Sequence, residues 1–565
     1  MNLDNLNDKQ KEAVLYNDGP LLIIAGAGAG KTKTLTSKIA YIIDEHLATP
    51  YNILAITFTN KAAKEMRDRL YLLIGDEARK LQVSTFHSFG LKLLRENYEL
   101  LGYDRNFVIM DSDDSLTVVK KIIKDLDYDP KVYNPKAIRN KISSCKNELI
   151  SAKAYEKYAV SDYEQVIQKV YEKYEKKLQQ NNSVDFDDLL ILPIKLFREH
   201  QDVLEKYQNL YQYVLIDEYQ DTNQAQYILT KMISEKNRRI TCVGDDSQSI
   251  YSFRGANYKN ILNFENDYKD AKTILLEQNY RSTGNILDAA NQVIKNNRDR
   301  KDKNLWTNKG PGEKIKYYRA YNERDEAQYV IRKIKELVNR NVEYKDIAVL
   351  YRTNAQSRVV EEEMLKENLP YRVIGSFYFY SRKEIKDLIA YLRLIHNSKD
   401  NVSLLRVINT PKRGIGLKTI ENLTTKADTE GISIYDAIES GKELDFKKTI
   451  EKLKSVAEDL TLTELIDKVL DASGMKKELE SEQTLEAEVR LENLEEFKSI
   501  TKAFEEKEGL ISLEDFLLEI SLVSDVEEYK DDPNRISLMT VHSVKGLEFD
   551  LSLIHISEPT RRTPI

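Results

Sequence analysis

Cysteine is nearly absent from this chain, with only two among 565 residues. No metal-type spacing relates Cys145 and Cys242, so a disulfide framework and a cysteine-based zinc site are excluded, and a reducing compartment is indicated. The sequence also lacks an apolar run long enough to span a bilayer, and the N-terminal acids Asp4 and Asp8 do not fit a secretory signal. We therefore expect a cytoplasmic protein.

A large excess of one charge is absent too. The chain has 86 Lys and Arg against 93 Asp and Glu, a formal net charge of −7. Binding of nucleic acid through an overall basic field is thus excluded, and any such site must be a local groove. With 41% hydrophobic and 32% charged residues, the composition is that of a globular protein, and the length predicts three or four domains.

Short apolar runs alternate along the chain with longer helical patterns. The runs are rich in Val, Ile and Leu without clean alternation, which is typical of parallel strands buried on both faces. This predicts the α/β class with parallel sheets. Two stretches, about 91–183 and about 377–533, break the alternation and are predicted to be helical throughout. The predicted strands are 21–25, 53–57, 213–216, 240–243, 273–276, 347–350 and 536–539.

A small-residue segment directly follows the first predicted strand and precedes an amphipathic helix. Glycines let successive backbone N–H groups curl around a phosphate, and the helix N-terminus adds its dipole. Lys31 would reach the β- and γ-phosphates of a nucleotide, and the Thr32 hydroxyl would ligate Mg²⁺. The alternative is a plain strand-to-helix turn, and Ala25 replaces the usual first glycine. The predicted phosphate-binding residues are Gly26, Ala27, Gly28, Ala29, Gly30, Lys31 and Thr32.

Two acids, Asp217 and Glu218, end the predicted strand 213–216. There Asp217 would hold Mg²⁺ through water, and Glu218 would polarise the water that attacks ATP. Acids at a strand end are often helix caps, but a phosphate loop elsewhere in the chain favours catalysis. Gln248, just after the next strand, could sense the γ-phosphate, although alone its segment is an ordinary polar turn.

These three motifs, in this order and spacing, resemble motifs I, II and III of the UvrD/PcrA/Rep family of superfamily 1 DNA helicases, and among its members most resemble the PcrA type. Further segments match the family from Leu6 to about Phe549. They are 6–10 (Q motif), 57–63 (motif Ia), 84–88 (motif Ib), 184–188 (the motif before the acidic strand), 278–282 (motif IV) and 540–549 (motif V).

The resemblance also implies roles around the nucleotide. Gln10 would read the adenine edge, and Lys33 would lie beside the base, where arginine is common in relatives. Tyr280 would stack on the base, Arg281 would act as an arginine finger, and Glu548 would meet the ribose.

Aromatic residues beside these motifs predict a single-stranded DNA site. Bases stack on aromatic rings without sequence preference, at about 1–3 kcal/mol per base, and these residues follow strands at the edge where α/β proteins bind ligands. Core packing explains any one of them alone, but matching positions line the DNA channel in the family. The predicted DNA-contacting residues are Phe58, Phe186, Tyr251 and Phe253, with Arg254, Asn354 and His542 alongside.

A glycine-containing basic loop, residues 410–416, lies in the second helical stretch. The resemblance implies that Gly414 and Gly416, with Lys412 and Arg413, present backbone amides to a duplex phosphate. The alternative is a plain loop whose glycines cap helices.

Fold and function follow from the resemblance. It implies two RecA-like parallel-sheet cores with mainly helical insertions: core 1A (1–90 and 184–272), insertion 1B (91–183), core 2A (273–376 and 534–549) and insertion 2B (377–533). It implies an ATP- and Mg²⁺-dependent 3′→5′ DNA helicase that acts on single strands and duplex junctions in repair or replication. The second hypothesis is a non-catalytic module that binds ATP and single-stranded DNA.

The family pattern stops after Phe549. Residues 550–565 show no helical or strand pattern and are predicted to be a non-native tail. We therefore expect an incomplete core 2A that lacks motif VI. Arg561 and Arg562 of the tail are not expected to take the place of the motif VI arginine.

Overall fold

The computed structural model describes residues 3–251, 255–297, 300–374, 380, 382–482, 484–508, 512–522 and 534–556. By contacts the chain divides into two compact units, the first formed by Met1–Gly312 and Arg382–Leu522, the second by Glu313–Ser381 and Val523–Ile565. The strands are β1 (Leu21–Ala25), β2 (Ile53–Thr57), β3 (Gln82–Thr85), β4 (Val108–Met110), β5 (Ser183–Asp185), β6 (Tyr213–Ile216), β7 (Ile240–Gly244), β8 (Lys272–Leu276), β9 (Ile347–Tyr351), β10 (Tyr371–Val373), β11 (Ile536–Thr540) and β12 (Leu551–Ile554).

Helices surround these strands and also make up most of both insertions. In the described residues none of them is long and apolar enough to cross a membrane. The helices are α1 (Asp8–Leu15), α2 (Lys31–Asp44), α3 (Asn60–Ile74), α4 (Phe86–Asn97), α5 (Ser112–Asp125), α6 (Pro135–Asn147), α7 (Ala152–Tyr155), α8 (Asp162–Gln180), α9 (Asp188–Glu199), α10 (Gln201–Leu210), α11 (Gln224–Ser234), α12 (Lys259–Leu262), α13 (Phe264–Asp267), α14 (Gly284–Ile294), α15 (Glu323–Val338), α16 (Ser357–Lys366), α17 (Lys383–His396), α18 (Asn401–Val407), α19 (Leu417–Glu430), α20 (Gly441–Val456), α21 (Leu462–Ser473), α22 (Met475–Glu482), α23 (Leu485–Glu508) and α24 (Leu513–Leu522).

The first unit is built on a six-stranded sheet in the order β3-β2-β6-β7-β1-β8. Every neighbouring pair in it is parallel. Leu22 and Ile24 of β1 lie in one apolar core and Leu21 and Ile23 in another, so both faces of the sheet are covered. Burial on both faces explains why the strand sequences do not alternate, and the predicted α/β class with parallel sheets is confirmed.

Strand β8 corrects one assignment made from the sequence. Residues 273–276 were expected to open core 2A, but β8 pairs in parallel with β1, with Ile23 opposite Ile274. An apolar run predicts a strand but says nothing about which sheet it joins, because the pairing partner is distant in sequence.

The first insertion is mainly helical, through α5 to α8. The prediction that 91–183 is helical throughout was wrong in one place, because β4 pairs in parallel with β5. In this pair Ile109 stands opposite Val184, directly before the segment that carries Phe186. The second insertion, within the described part of 382–522, is helical from α17 to α24.

The second unit contains a four-stranded parallel sheet in the order β10-β11-β9-β12. Its apolar core includes Val349, Leu538 and, half-buried, Leu553. Strand β12 overturns the prediction that the chain has no strand pattern after residue 549. Leu551 to Ile554 pair with β9 along their whole length, and their exposure alternates as in a half-covered edge strand. Residues 557–565 of the predicted tail lie outside the described residues.

Candidate functional site

The carboxyl ends of the six parallel strands meet at one edge of the first sheet. The phosphate-loop segment follows β1, Asp217 and Glu218 follow β6, and Asp245 follows β7. Since β6, β7 and β1 are neighbours, three segments far apart in sequence become adjacent. Ligands of α/β proteins bind at this kind of edge.

The segment after β1 has the geometry of a phosphate-binding loop. Gly28 and Gly30 have φ of +66° and +77°, which L-residues rarely adopt. A Cβ on Gly28 would lie 2.7 Å from the Asn279 amide nitrogen, so there is no room for a side chain. Gly30 is the N-cap of α2, and no side chain caps it, which leaves the first N–H groups of the helix directed at the loop.

Lys31 lies among acids at the start of α2. Its Nζ is 3.4 Å from Glu218 Oε1. Burial disfavours the ammonium, but the carboxylates of Glu218, Asp245 and Asp217 outweigh it, and the pKa of Lys31 is raised. The lysine is therefore a fixed positive charge, as a group that neutralises phosphate oxygens must be.

Thr32 and Asp217 bring two hard oxygen donors together. Thr32 Oγ1 donates to Asp217 Oδ2 at 3.2 Å. Burial first, then repulsion from Glu218, raises the pKa of Asp217 to about 6. A divalent cation beside these oxygens would relieve that cost, and a hydroxyl–carboxylate pair completed by phosphate oxygens and water suits Mg²⁺. The residues present therefore fit the predicted metal.

Glu218 adopts a strained backbone conformation at the end of β6. Its φ and ψ are +51° and +41°, the left-handed region, which costs about 1–3 kcal/mol for a residue with a side chain. Gln220 holds it there: its Nε2 donates to Glu218 Oε2 at 2.5 Å, and its Oε1 accepts from the Asp245 N–H at 2.9 Å. Gln220 is fully buried, and its two hydrogen bonds tie Glu218 to the end of the neighbouring strand β7.

Gln248 lies in the turn after β7 and is tied to the same region. Its Nε2 donates to Asp245 Oδ2 at 2.6 Å. Lys303 pairs with that aspartate at 2.7 Å and also with Asp246, and its side chain is buried. The turn that presents Gln248 is thus anchored by a lysine that the sequence analysis did not single out.

Motif IV packs directly on the phosphate loop. Asn279 Nδ2 donates to the Ala27 carbonyl at 2.6 Å, and the Tyr280 N–H donates to the Gly28 carbonyl at 2.9 Å. Asn279 Oδ1 in turn accepts from the N–H of Arg281 at 2.8 Å. These hydrogen bonds hold Tyr280 and Arg281 beside the loop. Their contacts with the base and the γ-phosphate remain predictions.

The N-terminal motif also borders the loop and contacts motif IV. Gln10 is buried, and its Nε2 donates to the Ala29 carbonyl at 3.1 Å. Asn7 Nδ2 donates to the Tyr280 hydroxyl at 2.8 Å, and Lys33 Nζ donates to the Asn5 carbonyl at 2.6 Å. Gln10, Lys33 and Tyr280, the residues predicted to surround the adenine, therefore cluster at one side of the loop.

Aromatic residues occupy the other half of the sheet edge as stacked pairs. Phe58, after β2, stacks on Tyr251 with ring centroids 5.3 Å apart. His87, after β3, stacks on Phe186 at 4.1 Å, and the Phe186 side chain stays 40% exposed. Burial lowers the pKa of His87 to about 4, so its ring is neutral at physiological pH.

The other residues predicted to contact single-stranded DNA lie either in the second unit or outside the residues that the structure describes. Phe253 and Arg254 are outside the described residues. In the second unit, Asn354 and His542 follow the neighbouring strands β9 and β11 and so share one sheet edge. His542 Nδ1 lies 3.3 Å from Arg352 Nη1. Glu548 is exposed in the segment between β11 and β12.

The glycine loop of the second insertion connects α18 to α19. Gly414 has a φ of +72°, and Gly416 is the N-cap of α19, so this glycine begins a helix rather than ending one. Both are exposed. Arg413, expected to help bind phosphate, instead donates to the Pro411 and Ser473 carbonyls and lies over the Phe446 ring. Its role in the structure is to hold the loop.

Four residues of this region had no role in the sequence analysis: Gln220, Asn279, His87 and Lys303. The first three lie inside motifs that were recognised, so their position was a usable signal. Lys303 carries no such signal, because its partners are distant in sequence.

A phosphate loop, an acid pair and a glutamine at one edge of a parallel sheet define the class of this protein as a P-loop nucleoside triphosphatase. Family models agree and narrow the class. The UvrD/REP helicase N-terminal domain matches residues 6–269, and the UvrD-like helicase C-terminal domain matches 274–559. The second match extends past Asp550, which, with β12, corrects the predicted start of a non-native tail.

Individual relatives give the same result. The ATP-dependent DNA helicase PcrA of Staphylococcus aureus (strain Mu50) is 48% identical over 98% of this chain and 77% of its own length. The protein of that name from Staphylococcus epidermidis (strain ATCC 12228) is 48% identical over 97% of the chain and 77% of its own length. The chain belongs to the UvrD/Rep helicase family, and its two parallel-sheet cores are RecA-like.

Proposed function

We propose that this protein is an ATP-dependent DNA helicase that moves 3′→5′ on single-stranded DNA and separates duplexes ahead of it. The observation that carries the proposal is the composition of one sheet edge. On that edge the phosphate loop and acid pair are adjacent to two stacked aromatic pairs. Family membership supports the same activity.

Each side chain at the nucleotide has a task that its surroundings allow. The N–H groups of the loop and Lys31 hold the phosphates, while Tyr280 and Gln10 border the base. Glu218, held by Gln220, orients the attacking water and takes its proton. Gln248 and Arg281 contact the γ-phosphate, and Arg281 offsets the charge that develops there.

The metal would be held by Thr32 and Asp217. When bound there, Mg²⁺ would supply positive charge that neutralises phosphate oxygens of the nucleotide. Without a metal, the burial of Asp217 next to Glu218 raises the pKa of the Asp217 carboxyl. A divalent cation offsets this cost better than a monovalent one, so we expect Thr32 and Asp217 to prefer a divalent cation.

Single-stranded DNA would pass over Phe58, Tyr251, Phe186 and His87 in the first unit, with Phe253 and Arg254 beside them. Asn354 and His542, which share one sheet edge of the second unit, would contact DNA as well. Gly414 and Gly416 would meet duplex phosphate through their exposed backbone. The action in repair or replication and the cytoplasmic location belong to the same proposal. The non-catalytic module is disfavoured, because a binding module needs no strained, hydrogen-bonded Glu218.

Strand-separation assays test the proposal. We expect ATP turnover that rises with single-stranded DNA, and unwinding of duplexes with a 3′ single-stranded tail but not of those with a 5′ tail. RNA of the same sequence is the control for substrate class. Unwinding confined to 5′-tailed duplexes would contradict the polarity, and turnover indifferent to DNA would contradict the function.

A further inference from the structure

Asn147, the last residue of α6 in the first helical insertion, lies where three functional segments meet. Its Nδ2 donates to Asp187 Oδ1 at 2.8 Å, and its Oδ1 accepts from Asn223 Nδ2 at 2.5 Å. Asp187 is next to the exposed ring of Phe186, and Asn223 follows the acidic segment 217–222. One side chain therefore joins the predicted DNA-stacking turn to the predicted catalytic segment.

The Asp187 side of this junction is held rigidly by α6. Lys146 Nζ is 2.7 Å from both Asp185 and Asp188, and all three side chains are buried. Tyr174 also donates to Asp185, at 2.9 Å. Removing one member of such a buried charge cluster is costly, so the turn that carries Phe186 moves with α6 and not independently of it.

The Asn223 side is joined to the catalytic acid by a single turn. Asn223 Oδ1 caps α11 by accepting from the Gln226 N–H at 2.9 Å, while its Nδ2 reaches Asn147. Between Glu218 and Asn223 lies one 3₁₀ turn, in which the Asp221 N–H donates to the Glu218 carbonyl at 2.9 Å. A displacement of Asn223 is therefore transmitted to Glu218 over a short, hydrogen-bonded path.

The loop with the second aromatic pair returns to the same place. A Cβ on Gly255 would lie 3.9 Å from the Cβ atoms of both Asn147 and Asn223. The next N–H, of Ala256, donates to the Tyr251 carbonyl at 3.2 Å. Gly255, four residues after Tyr251, therefore lies beside the asparagine pair, which Asp187 contacts from the Phe186 side.

We propose that Asn147 is a positioning residue that couples single-stranded DNA binding to ATP turnover. This inference rests on the proposed function. Because the turn with Phe186 and Asp187 moves together with α6, a base stacked on Phe186 constrains the turn and the helix as one body. The Asp187–Asn147–Asn223 hydrogen bonds pass that constraint to the segment that holds Glu218. By linkage, any change in nucleotide affinity that DNA causes through these contacts is matched by an equal change in DNA affinity caused by the nucleotide, whereas the effect on turnover need not be symmetric.

Two isosteric substitutions break the chain of hydrogen bonds at different links. Asn147→Asp removes the donor to Asp187 and places two carboxylates side by side. Asn223→Asp removes the donor to Asn147 and keeps an oxygen to cap α11, since aspartate is an equally good N-cap. Asn140→Asp is the matched control, because Asn140 is exposed on the same helix.

The measurement is the ratio of ATP turnover at saturating single-stranded DNA to turnover without DNA. We expect Asn147→Asp and Asn223→Asp to lower this ratio at least about fivefold, the lower end of ordinary coupling between sites. Basal turnover should stay within about twofold of the unsubstituted protein, and Asn140→Asp should leave the ratio unchanged. The change in DNA affinity caused by a non-hydrolysable ATP analogue should shrink in parallel.

The outcomes separate the inference from the proposed function. If DNA does not stimulate even the unsubstituted protein, the proposed function fails. If DNA stimulates the unsubstituted protein and both variants equally, or if basal turnover falls together with stimulated turnover, the coupling role is wrong. Should Asn147→Asp fail to fold, as judged by thermal unfolding, Asn223→Asp decides the question alone, because its cap is preserved.

Discussion

The two halves of the first sheet's functional edge are built in opposite ways. Around β1, β6 and β7, charged and amide side chains are buried and held by short hydrogen bonds, such as those of Gln220 and Asn279. Around β2 and β3, rings stack in pairs and remain partly exposed, as Phe186 does. Phosphate chemistry requires fixed charges at fixed distances, whereas stacking on bases tolerates any sequence and some movement.

The comparison predicts its largest effect at the charged half. Lys31→Ala removes the fixed charge beside Glu218, and we expect ATP turnover to fall by a factor of at least about 10²–10³, as for other lost electrostatic donors. Single-stranded DNA affinity without nucleotide should be unchanged. Lys64→Ala, an exposed change on α3, is the control, and turnover near that of the control would remove Lys31 from the mechanism.

The aromatic half should respond in the reverse sense. Phe186→Ala removes one stacking platform, so DNA affinity should fall by about 1–3 kcal/mol, or about 5–150-fold, with basal ATP turnover preserved. Fluorescence titration with a labelled oligonucleotide measures this. Tyr51→Ala is a suitable control, since Tyr51 is exposed just before β2, at the opposite end of the strand. Equal losses from both variants would count against stacking at Phe186.

A third test concerns stability and belongs to the charged half alone. The folded-state pKa of Asp217, about 6, lies above its ordinary value of 3.8, so its ionisation opposes folding as pH rises from about 4 to 6. Asp217→Asn should therefore increase the free energy of unfolding at pH 7.5, without nucleotide or metal, by up to about 3 kcal/mol. Thermal unfolding would show this as a higher melting temperature. Near pH 4 the difference should vanish, and a constant difference at all pH values would refute the cause.

The last prediction is that the charge of His87 makes no contribution to DNA affinity. Because burial lowers the pKa of His87 to about 4, its ring carries no charge between pH 5.5 and 8. DNA affinity at constant ionic strength should then change equally with pH in the unsubstituted protein and in His87→Phe. A pH-dependent loss seen only with histidine would show that His87 binds as a cation, and the two halves would differ less than proposed.

The sequence predicted what local patterns determine. Apolar runs identified seven of the twelve strands in the described residues, namely β1, β2, β6, β7, β8, β9 and β11, and missed β3, β4, β5 and β10. The motifs at 25–32, 217–218 and 248 predicted a nucleotide site, and the sheet brings these three segments together. Long-range choices were not predictable: β8 joins the first sheet, β4 pairs with β5, and Lys303 pairs with Asp245 and Asp246. Each depends on partners far away in the chain, and no local spacing specifies them. Strand β12 was missed because it is short and only half covered.

The order of strands in the first sheet has a consequence for synthesis on the ribosome. Ala55 of β2 pairs with Leu215 of β6, and the whole first insertion is encoded between them. β1, β2 and β3 therefore leave the exit tunnel long before the central strands β6 and β7 are synthesised. Non-local parallel pairing is slow, and the unpaired strand edges are exposed until their partners arrive. The insertion's own core around Val119, Ile142 and Val170 uses local helix contacts and can form meanwhile. We expect a nascent chain released before residue 216 to be captured by chaperones, and one released after β7 to resist proteolysis.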